Sequence, residues 1–366
     1  MPSPALLTVV LLFGGRSSEH TISCATAGGV LSAIDRSKYT VIPVGITRDG
    51  AFTLQPDDAA FFALNPAAMP AVADNGTRVF WPDSMLSREL TYRDAAGQTH
   101  SLGDIDVVFP ILHGPFGEDG TVQGLIELTG LPYVGNGVLA SALGMDKHYT
   151  KSVLEAAGVR VAPWVTVTPH QWSTQNELWR GRARALGLPL FVKPARAGSS
   201  VGVTKVASYD DLDAALTVAF AEDSKALIET AVVGREVECG VLSGRAGGET
   251  RVSVAGEIIV TGREFYDFEA KYLDHSAAQL VCPADLRAGE LLEMQRIAAR
   301  AFDAIGGSGL ARVDFFFTGT EFIVNELNTM PGFTPISMYP KCWEASGYTY
   351  PELIDELIQL GIEEIR

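Results

Sequence analysis

The sequence is poor in residues that mark several large classes of protein. Its 366 residues include only four cysteines, at positions 24, 239, 282 and 342, and no two of them form a Cys-x-x-Cys motif. We therefore expect neither a zinc site nor a disulfide framework, and a reducing cytoplasmic compartment is favoured. Basic residues are also few, because 28 lysines and arginines accompany 44 aspartates and glutamates, for a formal net charge of −16. This balance argues against the broad basic surface that nucleic acid binding requires.

Long apolar segments are missing too. The run at residues 5–13 has no basic residue before it and is too short to cross a bilayer, unlike a signal peptide or a membrane span. We predict a buried strand there and expect no membrane partner. An apolar content of 47% is typical of a globular protein, and 366 residues suffice for two or three domains.

The N-terminal part has the pattern of an α/β domain with a parallel sheet. Buried strands are predicted over residues 5–13, 40–47 and 106–112, and a helix is predicted over residues 21–34. A strand, a helix and a second strand in this order indicate a βαβ unit. Glycine-rich loops at 14–20 and 113–120 follow two of these strands, at the edge of the sheet where ligands bind in such folds. Residues 50–104 are predicted to be irregular, and we assign them no role.

Beyond a boundary near residues 140–146, helices and strands continue without an internal repeat. Helices are predicted over residues 147–157, 210–220, 290–305 and 350–365. Strands are predicted over residues 188–194, 226–233, 235–245 and 252–260. The last two strands follow each other closely along the chain, so we expect an antiparallel pair. This mixture predicts an α+β arrangement after the N-terminal α/β domain.

A hairpin is predicted between residues 311 and 328, where two aromatic and β-branched segments flank residues 318–320. If these three residues form the loop, residue 314 lies opposite residue 324. Because side chains alternate along a strand, four polar residues then share one face: Arg312, Asp314, Glu326 and Asn328. Four apolar residues take the other face: Val313, Phe315, Ile323 and Leu327. A loop of two or four residues, or a bulge, would separate Asp314 from Glu326.

The polar face of this predicted hairpin carries oxygen ligands beside a guanidinium group. Two carboxylates and an amide oxygen suit Mg²⁺, which usually completes its coordination with water and substrate phosphates. Arg312 would then meet the negative charge of those phosphates or of a reacting oxyanion. A solvated sheet face with surface charges is the simpler alternative, and the hairpin alone does not decide between the two.

A glycine- and serine-rich loop follows the predicted strand that contains Lys193. Residues 198–202, Gly-Ser-Ser-Val-Gly, could direct backbone N–H groups and hydroxyls toward phosphates, with Lys193 as the counter-charge. The alternative is an ordinary surface loop. The same five residues also match the G-x-S-x-G pattern of serine hydrolases, with Ser200 as the nucleophile. That remote alternative depends on His275, because no other histidine follows Ser200.

In this order, the motifs of the chain resemble those of the D-alanine–D-alanine ligases, a family of the ATP-grasp superfamily. The resemblance is carried by residues 13–23, 112–121, 141–147, 192–194, 198–202, 266–272, 311–314 and 325–332. It implies an ATP-grasp fold preceded by an N-terminal parallel-sheet domain. Residues 1–141 would form that domain with the first D-alanine site, and residues 142–232 the central ATP-grasp domain. Residues 233–366 would form the C-terminal ATP-grasp domain, with the metal site and a lid loop.

The resemblance also implies roles for individual residues. The catalytic set would be Glu19, Ser199, Tyr272, Arg312 and Gly332. Within it, Glu19 would hold the ammonium of the first D-alanine, and Arg312 with the backbone N–H of Gly332 would form the oxyanion hole. The substrate-binding residues would be His113 and Ser337, and the ATP-binding residues Lys147, Lys193, Glu229, Val232, Glu236 and Lys271. Asp314, Glu326 and Asn328 would bind the metal, as two Mg²⁺ or Mn²⁺ ions.

The reaction implied by the resemblance is the ATP-dependent ligation of two D-alanines through a D-alanyl phosphate, for peptidoglycan synthesis, by a homodimer. Tyr272 in the lid favours D-alanine as the second substrate, whereas a D-alanine–D-lactate or D-alanine–D-serine ligase is an alternative. A nucleotide-binding protein without catalytic activity is a further alternative, which the complete set of reactive residues disfavours.

Overall fold

The computed structural model of the chain describes residues 6–63, 69–260 and 278–364. Within these ranges the strands are β1 (Leu7–Gly14), β2 (Tyr39–Ile46), β3 (Phe52–Leu54), β4 (Arg78–Phe80), β5 (Glu89–Arg93), β6 (Thr99–Asp104), β7 (Val107–Pro110), β8 (Trp164–Val167), β9 (Leu190–Pro194), β10 (Thr204–Val206), β11 (Ala226–Thr230), β12 (Arg235–Leu242), β13 (Arg251–Val260), β14 (Ala278–Val281), β15 (Leu310–Phe317) and β16 (Phe322–Asn328). The helices are α1 (His20–Ala33), α2 (Thr121–Thr129), α3 (Val138–Met145), α4 (Lys147–Ala156), α5 (Pro169–Thr174), α6 (Asn176–Leu186), α7 (Leu212–Glu222), α8 (Ala288–Ala304), α9 (Met338–Ala345) and α10 (Tyr350–Glu363). Not one of these helices has the length and apolar character needed to cross a membrane.

The first sheet has the strand order β3-β2-β1-β7, and β1 runs parallel to both β2 and β7. The predicted parallel sheet is therefore confirmed. Leu11 and Phe13 of β1 pack with α1 and with Ile354 and Ile358 of α10 on one face of the sheet. Because β1 is covered on both faces, its sequence is a continuous apolar run without the alternation of a half-exposed strand. The last helix of the chain thus completes the core of the first domain.

The prediction that residues 50–104 are irregular is wrong. This segment adds β3 to the edge of the first sheet and folds into a separate antiparallel sheet with the order β4-β5-β6. Val79 and Leu90 from that small sheet pack against Val10 and Leu12 of β1, on the face opposite α1. Strands of three to six residues carry little periodic signal, and burial against the first sheet determines their structure.

The central sheet has the order β10-β9-β11-β8, with antiparallel neighbours throughout. Its core includes Trp179 and Ala183 of α6 and Leu212 and Leu216 of α7. These two helices cover one face of the sheet, and polar residues of its strands lie on the opposite face. The predicted strand that contains Lys193 is therefore present, as β9.

The C-terminal sheet has the order β14-β13-β12-β15-β16, and the expected antiparallel pair of residues 235–245 and 252–260 is confirmed as β12 and β13. Helix α8 packs on this sheet, together with Ala140 of α3 and Leu154 of α4. The predicted boundary after residue 232 falls in the link between β11 and β12, which joins the central and C-terminal sheets. The predicted boundary after residue 141 falls inside α3.

The hairpin of β15 and β16 does not have the predicted register. Phe317 pairs with Phe322, so the loop contains the four residues 318–321 instead of three. The expected pairing of residue 314 with residue 324 is consequently wrong. A four-residue loop alone would have placed the predicted metal ligands on opposite faces of the sheet.

A β-bulge restores the polar face of this hairpin. β16 contains one extra residue, Asn325, between Val324 and Glu326, and this shift brings Glu326 directly opposite Asp314. Beyond the bulge Arg312 lies opposite Asn328, so all four predicted polar residues share one face. The bulge also moves Val324 into the apolar position predicted for Ile323, and Val324 is fully buried.

Candidate functional site

A cavity of about 480 Å³ lies where the two glycine-rich loops of the N-terminal domain meet residues 197–199 and the C-terminal sheet. Nine of the sixteen residues predicted to act in the site line it: Glu19, His113, Lys147, Ser199, Arg312, Glu326, Asn328, Gly332 and Ser337. Asp314, Lys193, Glu229, Val232 and Glu236 do not line this cavity. Lys271 and Tyr272 lie outside the described residues. The sequence motifs therefore converge on one place, although four of the six predicted ATP-binding residues do not line the cavity.

The guanidinium of Arg312 is held by two carboxylates at the floor of the cavity. Its Nε and one terminal nitrogen each donate to Asp314 at 2.7 Å, and Nε lies 2.9 Å from the carboxylate of Glu238. Asn328 completes the cluster, because its Nδ2 donates to Asp314 at 2.9 Å. Burial opposes the charge on Arg312, but the two carboxylates hold its pKa well above the ordinary value. A permanent positive charge is thus fixed at the centre of the site.

Glu238 is missed by the sequence analysis, although a signal for it exists. It lies in β12 directly opposite Asp314 of β15, and its side chain is buried. An acidic residue between Val237 and Cys239, in the apolar part of the strand, indicates a paired charge. Only the pairing of β12 with β15 identifies Arg312 as the partner.

The oxygen atoms of the hairpin fit a hard divalent cation. Among the residues that the structure describes, no three or more His, Cys, Asp or Glu side chains are grouped to hold a metal. The hairpin offers instead the carboxylates of Asp314 and Glu326 and the amide of Asn328, all on one face of adjacent strands. This donor set has no nitrogen or sulfur ligand, so it fits Mg²⁺ or Mn²⁺, which also accept phosphate and water oxygens.

Lys147 is positioned between the hairpin and the central domain. Its Nζ donates to the carbonyl of Ala197 at 2.8 Å and lies 3.5 Å from the carboxylate of Glu326. Lys147 is the first residue of α4, whose start is capped by the carboxylate of Asp146. An ammonium group held in this way can neutralise an anion that approaches the polar face of the hairpin.

Lys193 and Glu229 belong to a buried ion cluster beside the cavity. The carboxylate of Glu229 lies 2.5 Å from Lys193 and 3.0 Å from Lys151. Burial opposes ionisation of Glu229, but the two ammonium groups lower the pKa of this carboxyl. Lys151 is missed by the sequence analysis; its position one helical turn after Lys147 is the available signal. Val232 lies in the link that follows β11, and Glu236 lies near the start of β12.

Glu19 and Ser199 connect the first glycine-rich loop to the central domain. The hydroxyl of Ser199 donates to the carboxylate of Glu19 at 2.7 Å, and Ser199 has a positive φ of 52°. Two glycines make this approach possible, because a Cβ on Gly114 or Gly198 would lie only 2.8 or 3.1 Å from Glu19. Glu19 is therefore enclosed by backbone on two sides, with its charge directed at the cavity.

His113 presents a neutral ring to the cavity. Its Nδ1 donates to the carbonyl of Met330 at 3.1 Å, and burial lowers the pKa of the ring. Nε2 is buried and has no hydrogen-bond partner among the described residues. In this tautomer Nε2 is an acceptor, and a donor group of a substrate can satisfy it.

Glu118, for which the sequence alone predicts no role, holds two parts of the site together. Its carboxyl accepts hydrogen bonds from the backbone N–H of Gly114 at 2.6 Å and of Met330 at 3.2 Å. Desolvation, and after it the nearby carboxylate of Glu19, raise the pKa of Glu118 to about 8. The second glycine-rich loop is thus fastened to the segment that follows β16.

Gly332 and Ser337 lie close together at the start of α9. Ser337 precedes the helix, and its hydroxyl accepts from the backbone N–H of Thr334 at 3.1 Å instead of capping the helix. A Cβ on Gly332 would lie 3.3 Å from this hydroxyl. The hydroxyl and the open helix end can together receive an anionic group.

The position of Ser200 does not fit a serine hydrolase. In that class the nucleophile lies on a sharp turn between a strand and a helix. Here Ser200 lies on a turn between β9 and β10, which are two antiparallel strands. The match to G-x-S-x-G is therefore a coincidence of five residues, and the serine-hydrolase alternative is not favoured.

Comparison with known proteins matches both halves of the chain to one family. Residues 8–136 match the family model described as D-ala D-ala ligase N-terminus, and residues 153–359 match the model described as D-ala D-ala ligase C-terminus. A protein of Paenarthrobacter aurescens named D-alanine--D-alanine ligase is 53% identical over 357 residues, which cover 97% of this chain and 94% of the relative.

Solved structures agree in fold. The VanG D-Ala:D-Ser ligase of Enterococcus faecalis is 32% identical with a TM-score of 0.83, and the match covers 98% of this chain and 100% of that chain. The D-alanine-D-alanine ligase of Coxiella burnetii is 34% identical with a TM-score of 0.78, and the match covers 98% of this chain and 94% of that chain. The predicted ATP-grasp fold with a preceding parallel-sheet domain is thereby confirmed.

The raised pKa of Glu118 predicts a pH-dependent stability. An exposed glutamate has a pKa of about 4.3, whereas that of Glu118 is raised to about 8. Between these two pH values the folded chain keeps a proton that the unfolded chain has lost, so the free energy of unfolding falls as the pH rises. Glu118→Gln should lack this decrease. Urea unfolding of both proteins across this pH range measures the difference.

An exposed carboxyl serves as the control for this comparison. Glu155→Gln removes a carboxyl from the exposed side of α4 and should leave the pH profile of the wild type unchanged. The profiles are compared by slope, so a constant destabilisation by the glutamine does not affect the result. Equal slopes for the wild type and Glu118→Gln would contradict the assignment.

Proposed function

The chain belongs to the D-alanine–D-alanine ligase family, and we propose that it uses ATP to join two D-alanines into D-alanyl-D-alanine. One observation carries the proposal: the polar hairpin face with Arg312 and the Glu19–Ser199 pair border the same cavity. The first can stabilise phosphate and oxyanion charge, and the second can hold an ammonium group. A site with both features suits the activation of an amino acid carboxylate.

ATP would lie between the central and C-terminal domains. Lys147 and Lys193, with Lys271 from the lid, would neutralise its phosphates, and the ion cluster with Glu229 supports the position of Lys193. The adenosine part would contact Glu229, Val232 and Glu236. Asp314, Glu326 and Asn328 would hold Mg²⁺ or Mn²⁺, as two ions, which supply positive charge to the phosphates when bound.

The first D-alanine would bind with its ammonium at Glu19. Ser199 fixes one oxygen of that carboxylate at 2.7 Å, and Tyr272 would extend the contact to the lid. The substrate carboxylate would then attack the γ-phosphate of ATP and release ADP, which leaves a D-alanyl phosphate. The protein contributes position and charge to this step.

His113 would border the pocket of the first D-alanine through Nε2, and the second D-alanine would bind with its carboxylate at Ser337. Its amine would attack the acyl carbon and form a tetrahedral oxyanion. Arg312 and the backbone N–H of Gly332 would stabilise this oxyanion, and its collapse would release phosphate and the dipeptide.

The reaction is tested by measuring the phosphate that the protein releases from ATP in the presence of Mg²⁺. Each amino acid is first supplied alone. We expect release with D-alanine alone, with D-alanyl-D-alanine as the product, and none with L-alanine or without amino acid. D-lactate and D-serine, each added with D-alanine, test the alternative acceptors, because one structural neighbour is named a D-Ala:D-Ser ligase. Bound ATP without phosphate release would favour a non-catalytic nucleotide-binding protein. A product that contains D-lactate or D-serine, formed in preference to D-alanyl-D-alanine, would overturn the assignment of D-alanine as the second substrate.

Substitution of Arg312 tests the oxyanion hole. Loss of one oxyanion donor typically lowers kcat by about 10²–10³, and we expect that decrease in Arg312→Ala, with ATP binding retained. Circular dichroism reports whether the fold persists, since the substitution leaves Asp314 and Glu238 without their buried partner. Arg245→Ala removes a guanidinium paired with Glu356 at 2.6 Å, remote from the cavity, and should keep the wild-type kcat. A nearly normal kcat in Arg312→Ala would contradict the assignment of Arg312 to the oxyanion hole.

The proposal includes a homodimer in the cytoplasm that supplies peptidoglycan synthesis. Near the end of α2, Met85, Leu86 and Leu128 are 73%, 99% and 82% exposed, and the side chain of Met85 approaches Gly130. Exposed apolar patches of this kind often mark contacts between proteins. Sedimentation equilibrium should give twice the mass of the chain, and Leu128→Glu should lower it; a monomer at all concentrations would refute the dimer.

A further inference from the structure

Two cysteines that the proposed reaction does not use lie behind the wall of the cavity. Cys282 follows β14 and Cys342 lies in α9, and their Sγ atoms are 3.8 Å apart. The sequence separates them by sixty residues, so only the fold brings them together. Two thiols at this distance need a small movement to form a disulfide, whose S–S bond is about 2.05 Å.

The residues around the two thiols form part of the cavity. Cys282 and Cys342 pack in one apolar cluster with Ile258, Leu280 and Met338. All three of these apolar side chains line the cavity. Met338 precedes Cys342 by four residues in α9, so both lie on the same side of the helix. A change at the sulfur atoms is therefore transmitted to the wall by direct contact.

The two thiols differ in access and in acidity. Cys282 is half-buried, and its contact with Cys342, followed by the charge of Lys341, lowers the pKa of its thiol. Cys342 is fully buried, and both the contact with Cys282 and burial raise the pKa of its thiol. A half-buried thiol of lowered pKa beside a buried thiol is the arrangement in which one sulfur attacks an oxidant and the other resolves the product.

The other cysteines lack this arrangement. Cys24 and Cys239 are fully buried, and burial raises the pKa of Cys24 to about 12 and that of Cys239 well above its ordinary value. Neither should react with a dissolved oxidant while the protein is folded. Oxidation of the native protein should consequently be selective for one pair.

We propose that Cys282 and Cys342 form an oxidisable dithiol, and that its disulfide deforms the acceptor side of the substrate cavity. The Cys282 thiolate attacks a hydroperoxide, forms a sulfenic acid and releases an alcohol, or water from hydrogen peroxide. The Cys342 thiol then displaces the hydroxyl as water and forms the S–S bond. The two thiols lose two hydrogens in total, and the hydroperoxide accepts them. A small thiol reverses the change by exchange.

The disulfide draws β14 and α9 toward each other. The sulfur atoms must approach from 3.8 Å to about 2.05 Å, and Leu280 and Met338 move with them. Ser337, the proposed carboxylate-binding residue, directly precedes α9. A displacement of about 1 Å can cost about 100-fold in rate when it misplaces a reacting group. We expect at least a tenfold decrease in kcat/KM for D-alanine, an effect that rests on the proposed function.

The test compares reduced and oxidised full-length protein. The reduced protein is treated with hydrogen peroxide, alkylated, digested and analysed by mass spectrometry for a cross-linked peptide. Its phosphate release is measured in parallel, before and after dithiothreitol. The matched variants are Cys282→Ser, at the half-buried position, and Cys24→Ala, which removes a cysteine from a separate core.

The proposal predicts a Cys282–Cys342 peptide, at least tenfold lower activity and recovery with dithiothreitol. Cys24→Ala should behave in the same way, whereas Cys282→Ser should keep its activity in peroxide. Absence of the linked peptide, or equal inactivation of Cys282→Ser, would overturn the dithiol. Formation of the linked peptide with unchanged activity would overturn the claim that the disulfide deforms the cavity. An inactive reduced protein that still forms the linked peptide would contradict the proposed function instead, so the two failures are distinguishable.

Discussion

Arg312 carries a positive charge where only 16% of its side chain is exposed, and Asp314 and Glu238 neutralise it. Loss of one partner from such a buried pair typically costs about 3–5 kcal/mol, because the remaining charge is left uncompensated. The cluster therefore requires β12, β15 and β16 to keep their register. Glu238 comes from β12, Arg312 and Asp314 come from β15, and Asn328, which donates to Asp314, comes from β16. In the proposed reaction Asp314 would share its charge with the metal, and Arg312 would direct part of its own charge toward the oxyanion.

Contacts of the N-terminal loops hold the two halves of the cavity at a fixed distance. Glu118 accepts from Gly114 and from Met330, and His113 donates to the carbonyl of Met330. The side that would hold the first D-alanine is thus tied to the segment that would hold the second. Helix α10 adds an apolar contact, because it packs under the first sheet although it ends the chain. Both links explain how residues from distant parts of the sequence can act on a single pair of substrates.

The parallel sheet, the antiparallel pair of β12 and β13 and the polar face of the hairpin were predictable from the sequence, since each depends on local periodicity. The pairing within the hairpin was not, because the four-residue loop and the bulge at Asn325 each reverse the alternation and together restore it. Glu238, Glu118 and Lys151 were missed for a related reason. Each has a partner far away along the chain, namely Arg312, Met330 and Glu229 respectively, so no spacing in the sequence relates the two members of a pair. The small sheet of residues 78–104 was missed because its strands depend on burial against β1.

The central claim is that the carboxylate of the first D-alanine attacks ATP, and the fate of an oxygen label tests it directly. D-alanine with ¹⁸O in its carboxylate is incubated with the protein, ATP and Mg²⁺, and the released phosphate is analysed by mass spectrometry. An acyl phosphate transfers one carboxylate oxygen to phosphate, so the account predicts one ¹⁸O atom in each phosphate released. Unlabelled phosphate, formed while the dipeptide accumulates, would contradict the acyl phosphate and with it the proposed use of Arg312 and the hairpin face.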